Sequence, residues 1–174
     1  MRIKVTKPIV LVGIMGSGKS TIGKKLAKKL HMQFYDSDQV IEEREGLKIV
    51  DIYDYRGEEY FKKQEESIIK EVLRYGTIIL STGGGSFANE EVRNLIKEKA
   101  ISIWLYSDID TIYERISRRN TRPGLNGENK LEVLESLIEQ QYPLLEQADI
   151  KINSGNADAH YIVDNILVKL KELC

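Results

Sequence analysis

The chain has 174 residues, 41% of them hydrophobic, with a formal net charge of −1. That length suits one domain with a substantial core, and the near-neutral balance gives no electrostatic reason to expect nucleic acid or an anionic membrane as a partner. The one cysteine, Cys174, excludes a disulfide within the chain and fits a reducing cytoplasm. The opening MRIKVTKP carries no long apolar region of the secretory kind, and no apolar run approaches the ~20 residues of a membrane span.

Ile9, Val10, Leu11 and Val12 predict a first strand over residues 9–13. It runs into GIMGSGKS, residues 13–20, followed by Thr21. This fits the phosphate-loop pattern G-x-x-x-x-G-K-[ST] in full. Gly13, Gly16 and Gly18 open backbone torsions closed to residues with a Cβ, so the loop's N–H groups, Ser17 among them, can turn inward as a nest for phosphate oxygens. Lys19 can reach the β- and γ-phosphates, and Ser20 can offer its hydroxyl to a magnesium ion. A helix predicted from about Lys19 through Thr21 and beyond aims its N-terminal N–H groups and positive dipole end at the same phosphates. That helix carries Ile22, Leu26 and Leu30 on one face and Lys24, Lys25, Lys28 and Lys29 on the others, with His31 as a cation at its end.

A second strand is predicted over residues 33–36, running into YDSD. Helical sequence follows over residues 39–75, interrupted near Gly46 and Gly57, with Phe61, Ile68, Ile69, Val72 and Leu73 as an apolar face. A third strand over residues 77–81 leads into Thr82, Gly83, Gly84 and Gly85. Next come a helix with Val92, Leu95 and Ile96 inward, a fourth strand over residues 101–106 whose apolar character suits the centre of a sheet, and a helix over residues 109–117. Residues 118–129, RRNTRPGLNGEN, change character: basic, with glycine and proline, they read as a mobile lid. A helix with Leu131, Leu134, Leu137 and Ile138 follows, which Pro143 is expected to bend or end. A short strand over residues 150–152 precedes a last helix with Val163, Ile166, Leu167 and Leu170 inward. Alternating strands and helices predict an α/β fold with a mainly parallel sheet.

Ligands of such sheets sit at the carboxyl ends of the strands. Three candidate segments fall there: the phosphate loop, Asp36 with Asp38, and the triple glycine. If the chain stays extended, Asp36 and Asp38 face one side. One carboxylate can then hold magnesium through water and the other can orient an acceptor hydroxyl and take its proton. The competing reading is that they cap the next helix. Bare backbone at Gly83, Gly84 and Gly85 can meet an anionic or hydroxylated acceptor. Arg122 is the best-placed lid cation to neutralise a moving phosphoryl group, with Arg118 and Arg119 as competitors.

In order and spacing this series resembles the shikimate kinases over nearly the whole chain. That family carries a phosphate loop, D-x-D, G-E-x-x-F-R, a strand into GGG, and a lid with R-P-L-L. Here these read as residues 13–20, Asp36 and Asp38, GEEYFK at residues 57–62, Gly83, Gly84 and Gly85, and RPGL at residues 122–125. The resemblance implies a P-loop three-layer α/β/α fold with a five-stranded parallel sheet, an acceptor-binding region at about residues 36–75 and a mobile lid at about 118–129, all in one kinase domain over residues 1–174. It implies transfer of the γ-phosphoryl group of ATP to the 3-hydroxyl of shikimate, with Mg2+. By the same resemblance Lys19 holds phosphates, Ser20 and Asp36 serve magnesium, Asp38 holds the shikimate hydroxyls, Gly83, Gly84 and Gly85 line the acceptor pocket, Arg122 reaches both substrates, and Arg115 lies against the adenine. A cytoplasmic monomer acting on small molecules is the expected form.

Two positions depart from the family. Its members grip the shikimate carboxylate with a pair of arginines; here those places hold Lys62 and Gln141. Lysine keeps the charge without the planar fork, and glutamine keeps a hydrogen bond without the charge. Gly124 also stands for a lid leucine. All three changes spare the nucleotide side. They leave open weaker shikimate phosphorylation, another small hydroxylated acceptor, or nucleotide binding without efficient transfer.

Overall fold

The first strand, β1 (Ile9–Val12), buries every side chain it has, which requires a sheet covered on both faces. The computed structural model, which describes residues 2–118 and 129–174, builds that arrangement. After β1 come α1 (Lys19–Leu30), β2 (Gln33–Asp36), α2 (Ser37–Glu45), α3 (Ile49–Arg56), α4 (Glu58–Val72) and β3 (Ile78–Ser81). A short 3-10 turn, Ser86–Ala88, precedes α5 (Glu90–Lys99), β4 (Ile101–Tyr106), α6 (Ile109–Ser117), α7 (Lys130–Leu145), β5 (Ile150–Asn153) and α8 (Ala159–Leu173). The strands form one five-stranded sheet in the order β2-β3-β1-β4-β5, with every neighbouring pair parallel.

Side-chain alternation divides the interior into two cores. Val10, Val12, Leu80 and Trp104 point to the face covered by α2 through α7, where Ile41, Ile52, Ile69, Ile96, Ile112 and Leu134 meet them. Ile9, Leu11, Ile79, Ile103 and Ile152 point to the other face and pack on Ile22 and Leu26 of α1 and on Val163, Ile166 and Leu170 of α8. The result is the expected three-layer α/β/α architecture. Among the described residues no helix is long and apolar enough to cross a membrane.

The helical stretch breaks where its glycines predict. Gly46 closes α2 at φ 67°, and Gly57 separates α3 from α4 at φ 88°. His31 closes α1 in the left-handed region at φ 55°, its N–H turned back to the last carbonyls of the helix, so it acts through its backbone as well as its position. Two details differ from expectation. The middle place in the sheet belongs to β1, and β4 lies beside it, flanked by β1 and β5. Pro143 does not end α7 where it stands: it falls in the last turn, and the helix runs on to Leu145.

Candidate active site

The phosphate loop joins β1 to α1. Gly16 at φ 78° and Gly18 at φ 92° take left-handed torsions, and Gly18 is the residue that opens α1. Lys19, 6% exposed, folds its stem over the loop. Its ammonium donates to the carbonyls of Gly13 at 2.7 Å and Ile14 at 2.9 Å. The loop forms one wall of a cleft of about 460 Å³, lined also by Ser20, Thr21, Asp36, Asp38, Thr82, Arg115 and Arg118. It opens at the carboxyl ends of β1, β2 and β3, as a parallel sheet requires.

Ser20 and Asp36 meet directly, the hydroxyl donating to Asp36 Oδ2 at 2.6 Å. The other oxygen of Asp36 accepts from the N–H groups of Asp38 at 3.0 Å and Gln39 at 3.3 Å, capping α2. Capping and facing Ser20 are thus done by the two oxygens of one carboxylate. The extended path expected between Asp36 and Asp38 does not occur. The chain turns helical at Ser37, because Asp36 supplies the cap that starts the helix. Both carboxylates still line the cleft, Asp36 from the strand end and Asp38 from the first helical turn.

Gly83 explains itself by what crowds it. A Cβ there would lie 2.6 Å from Glu65 Oε2 and 2.9 Å from Asp38 Oδ1. A Cβ on Gly84 would lie 2.9 Å from the backbone nitrogen of Met15 in the phosphate loop. Bare backbone therefore lets Gly83 close against the Glu65 and Asp38 carboxylates and Gly84 against the loop after β1. A Cβ on Gly85 would meet nothing within 4 Å among the described residues.

Glu65 is a functional candidate that its sequence position does not announce as plainly. It is a carboxylate only 5% exposed, on the buried side of α4 with Phe61, Ile68, Ile69 and Val72. A signal is present: position 65 falls between 61 and 68 or 69 on a helical stripe that is otherwise apolar, and a charge there needs a reason.

Arg115, on α6, ties the loop after β1 to the segment after β5. It donates to the carbonyls of Gly16, Ser154 and Gly155, each at 2.9 Å. Arg118 is an exposed member of the cleft wall and pairs with Glu114 at 2.6 Å. Lys62 points to solvent, 58% exposed, and pairs with Glu58 at 3.1 Å on its own helix. Gln141 is half-buried on α7. Neither Lys62 nor Gln141 is among the cleft-lining residues described. Arg119 and Arg122, with most of the expected lid, lie outside the described residues.

A parallel five-stranded sheet with a phosphate loop after β1, a hydroxyl–carboxylate pair beside it and a glycine corner after β3 defines a P-loop kinase fold. The same fold occurs in a gluconokinase from Sinorhizobium meliloti, at 18% identity and a TM-score of 0.64, covering 99% of this chain and 95% of that one. A much nearer likeness is the shikimate kinase from Acinetobacter baumannii in complex with shikimate. It has a TM-score of 0.94 at 31% identity and covers 98% of this chain and 96% of that one. A family model described as shikimate kinase matches residues 15–171. The shikimate kinase of Vibrio cholerae is 43% identical over 165 residues, 94% of this chain and 95% of that one. That of Bartonella quintana is 39% identical over 161 residues, 92% of this chain and 77% of that one. The chain belongs to the shikimate kinase family, and it is a kinase-type phosphotransferase.

Proposed function

We propose that this chain moves the γ-phosphoryl group of ATP to the 3-hydroxyl of shikimate, giving shikimate 3-phosphate and ADP. The observation that carries the reading is the convergence in one cleft of Lys19, the Ser20–Asp36 contact at 2.6 Å, and Asp38 beside Gly83. In the reaction the bond from the γ-phosphorus to the bridging oxygen of ADP breaks and a bond to the acceptor oxygen forms. Lys19 and the N–H groups of the loop hold the phosphate charge. Asp38 orients the acceptor hydroxyl and takes its proton. Magnesium, when bound, neutralises charge on the phosphates. Ser20 and Asp36 suit it, being oxygen donors at the mouth of the phosphate loop, where one or two protein oxygens and the phosphates commonly complete its shell. On this reading one kinase domain acts as a cytoplasmic monomer on two small molecules, with acceptor contacts from about residues 36–75 and a lid at about 118–129. The net charge of −1 supports the absence of a nucleic-acid partner.

Adding shikimate to protein, ATP and Mg2+ is expected to release ADP in proportion to turnover. No release at millimolar shikimate from protein that binds ATP would overturn the reading.

A second acceptor remains a competing reading because of two positions. Lys62 is exposed and held by Glu58, and Gln141 carries no charge. Together they replace charge-assisted bidentate contacts with weaker ones. The double variant Lys62→Arg with Gln141→Arg is expected to lower KM for shikimate about tenfold. An unchanged or higher KM would mean that the carboxylate of the acceptor is held elsewhere, and a panel of sugar acids and cyclic polyols would then be tried as acceptors.

A further inference from the structure

A phosphate nest works only if the loop's carbonyls turn away from the anion while its N–H groups turn toward it. Each outward carbonyl then needs a donor of its own. In this chain Lys19 serves Gly13 and Ile14, and Arg115 serves Gly16. The carbonyl of Ser17 is met by a residue that no motif singles out. Ser154 Oγ lies 3.0 Å from it, across a sequence separation of 137 residues. Ser154 is 1% exposed, just past the end of β5.

Ser154 has one hydroxyl proton and two carbonyls within its reach. Its oxygen also lies 3.1 Å from the carbonyl of Tyr106 and 3.0 Å from Ser107 Oγ. The Tyr106 carbonyl already takes the N–H of Ser154 at 2.7 Å, and that short backbone bond lowers its need for a second donor. Ser107, buried at 0% exposure, can donate to Ser154. Ser107 is held in turn through its carbonyl, which accepts from the Tyr142 hydroxyl at 2.6 Å. Burial, with Tyr106 and Asp108 nearby, raises the Tyr142 phenol well above its ordinary range, so it remains a donor throughout the working pH range. With Ser107 donating to Ser154, the Ser154 proton is left for the Ser17 carbonyl at 3.0 Å.

We propose that Ser154 is a positioning residue of the nucleotide site: by holding the Ser17 carbonyl it fixes the peptide plane between Ser17 and Gly18 and so aims the Gly18 N–H at phosphate. The trans peptide is planar, with its C=O and N–H opposed, so a fixed carbonyl fixes the amide that follows. Gly18 needs such a hold more than most residues. It stands at φ 92°, and among the described residues nothing lies within 4 Å of where its Cβ would stand. Arg115 secures the preceding carbonyl and the carbonyls of Ser154 and Gly155. Phosphate loop and β5–α8 loop are thereby tied at two successive peptides.

The proposal rests on residues 13–20 being a phosphate loop, and calorimetric titration with ATP and with inorganic tripolyphosphate tests it without reference to any acceptor. Ser154→Ala is expected to raise the dissociation constants of both ligands in step, about fivefold to tenfold. Ser107→Ala removes the neighbour but leaves the Ser154 hydroxyl on Ser17, and is expected to bind both ligands within about twofold of wild type. Both variants should melt at similarly lowered temperatures. Unchanged binding in Ser154→Ala, equal weakening in the two variants, or weaker ATP with unchanged tripolyphosphate would each overturn the proposal. Wild-type protein that binds neither ligand would overturn the phosphate-loop reading with it.

Discussion

Lys19→Met is expected to lower kcat for phosphoryl transfer roughly 10²–10³-fold, the scale set by removing one preorganised donor from a site of developing charge. Methionine keeps an unbranched stem of similar length, so the buried path of Lys19 over the loop, 6% exposed, stays filled. What goes is the ammonium, now bound to the carbonyls of Gly13 and Ile14 at 2.7 and 2.9 Å. Lys19 lines the cleft beside the loop, and its ammonium is expected to exchange those carbonyls for phosphate oxygens when a nucleotide is seated in the nest. Phosphoryl transfer asks little covalent work of the protein and much placement of charge, so the loss should fall on kcat more than on KM for ATP. Steady-state ADP release checks this. A kcat within tenfold of wild type would mean that another cation carries the charge, and the exposed Arg118 of the cleft wall would be the first to replace.

The turn from β1 through the glycine loop into α1 is legible in the sequence because its pattern is local. A run of apolar residues, three glycines and a Lys-Ser pair lie within twelve residues, residues 9–20, and each is tied to one physical task. The helix breaks at Gly46 and Gly57 are legible for the same reason. Expectation and fold part where a side chain changes the course of the backbone. Asp36 looks like the start of an extended pair with Asp38, yet its carboxylate caps α2 and turns the chain at Ser37. Contacts distant in sequence are beyond the reach of local patterns. Glu65 meets Gly83 through the packing of α4, and Ser154 meets Ser17 only once the sheet is assembled. A serine after a short strand carries no sequence signal. A glutamate on an apolar stripe does, since burying a carboxylate is costly unless the charge is partnered.

The acceptor side yields the other large expected effect. Asp38→Asn is expected to lower kcat roughly 10²–10⁴-fold, the range for loss of a positioned general base. Asparagine preserves shape, and the backbone N–H of residue 38 still reaches Asp36 Oδ1, so α2 keeps its cap and the melting temperature should move little. The amide can still accept a hydrogen bond from the acceptor hydroxyl but cannot take its proton. Orientation and proton transfer therefore separate. If Asp38 only orients, KM for shikimate rises and kcat holds; if it accepts the proton, kcat falls with KM nearly unchanged. Glu65→Gln is the necessary companion, because Glu65 Oε2 and Asp38 Oδ1 both crowd the place of a Gly83 Cβ, at 2.6 and 2.9 Å. Glu65 is nearly enclosed, and it is not among the residues described as lining the cleft, so its amide variant is expected to cost less in kcat than Asp38→Asn. The reverse order, measured as single-turnover rates at saturating ATP and acceptor, would transfer the proton-accepting role to Glu65 and leave Asp38 to hold the acceptor in place.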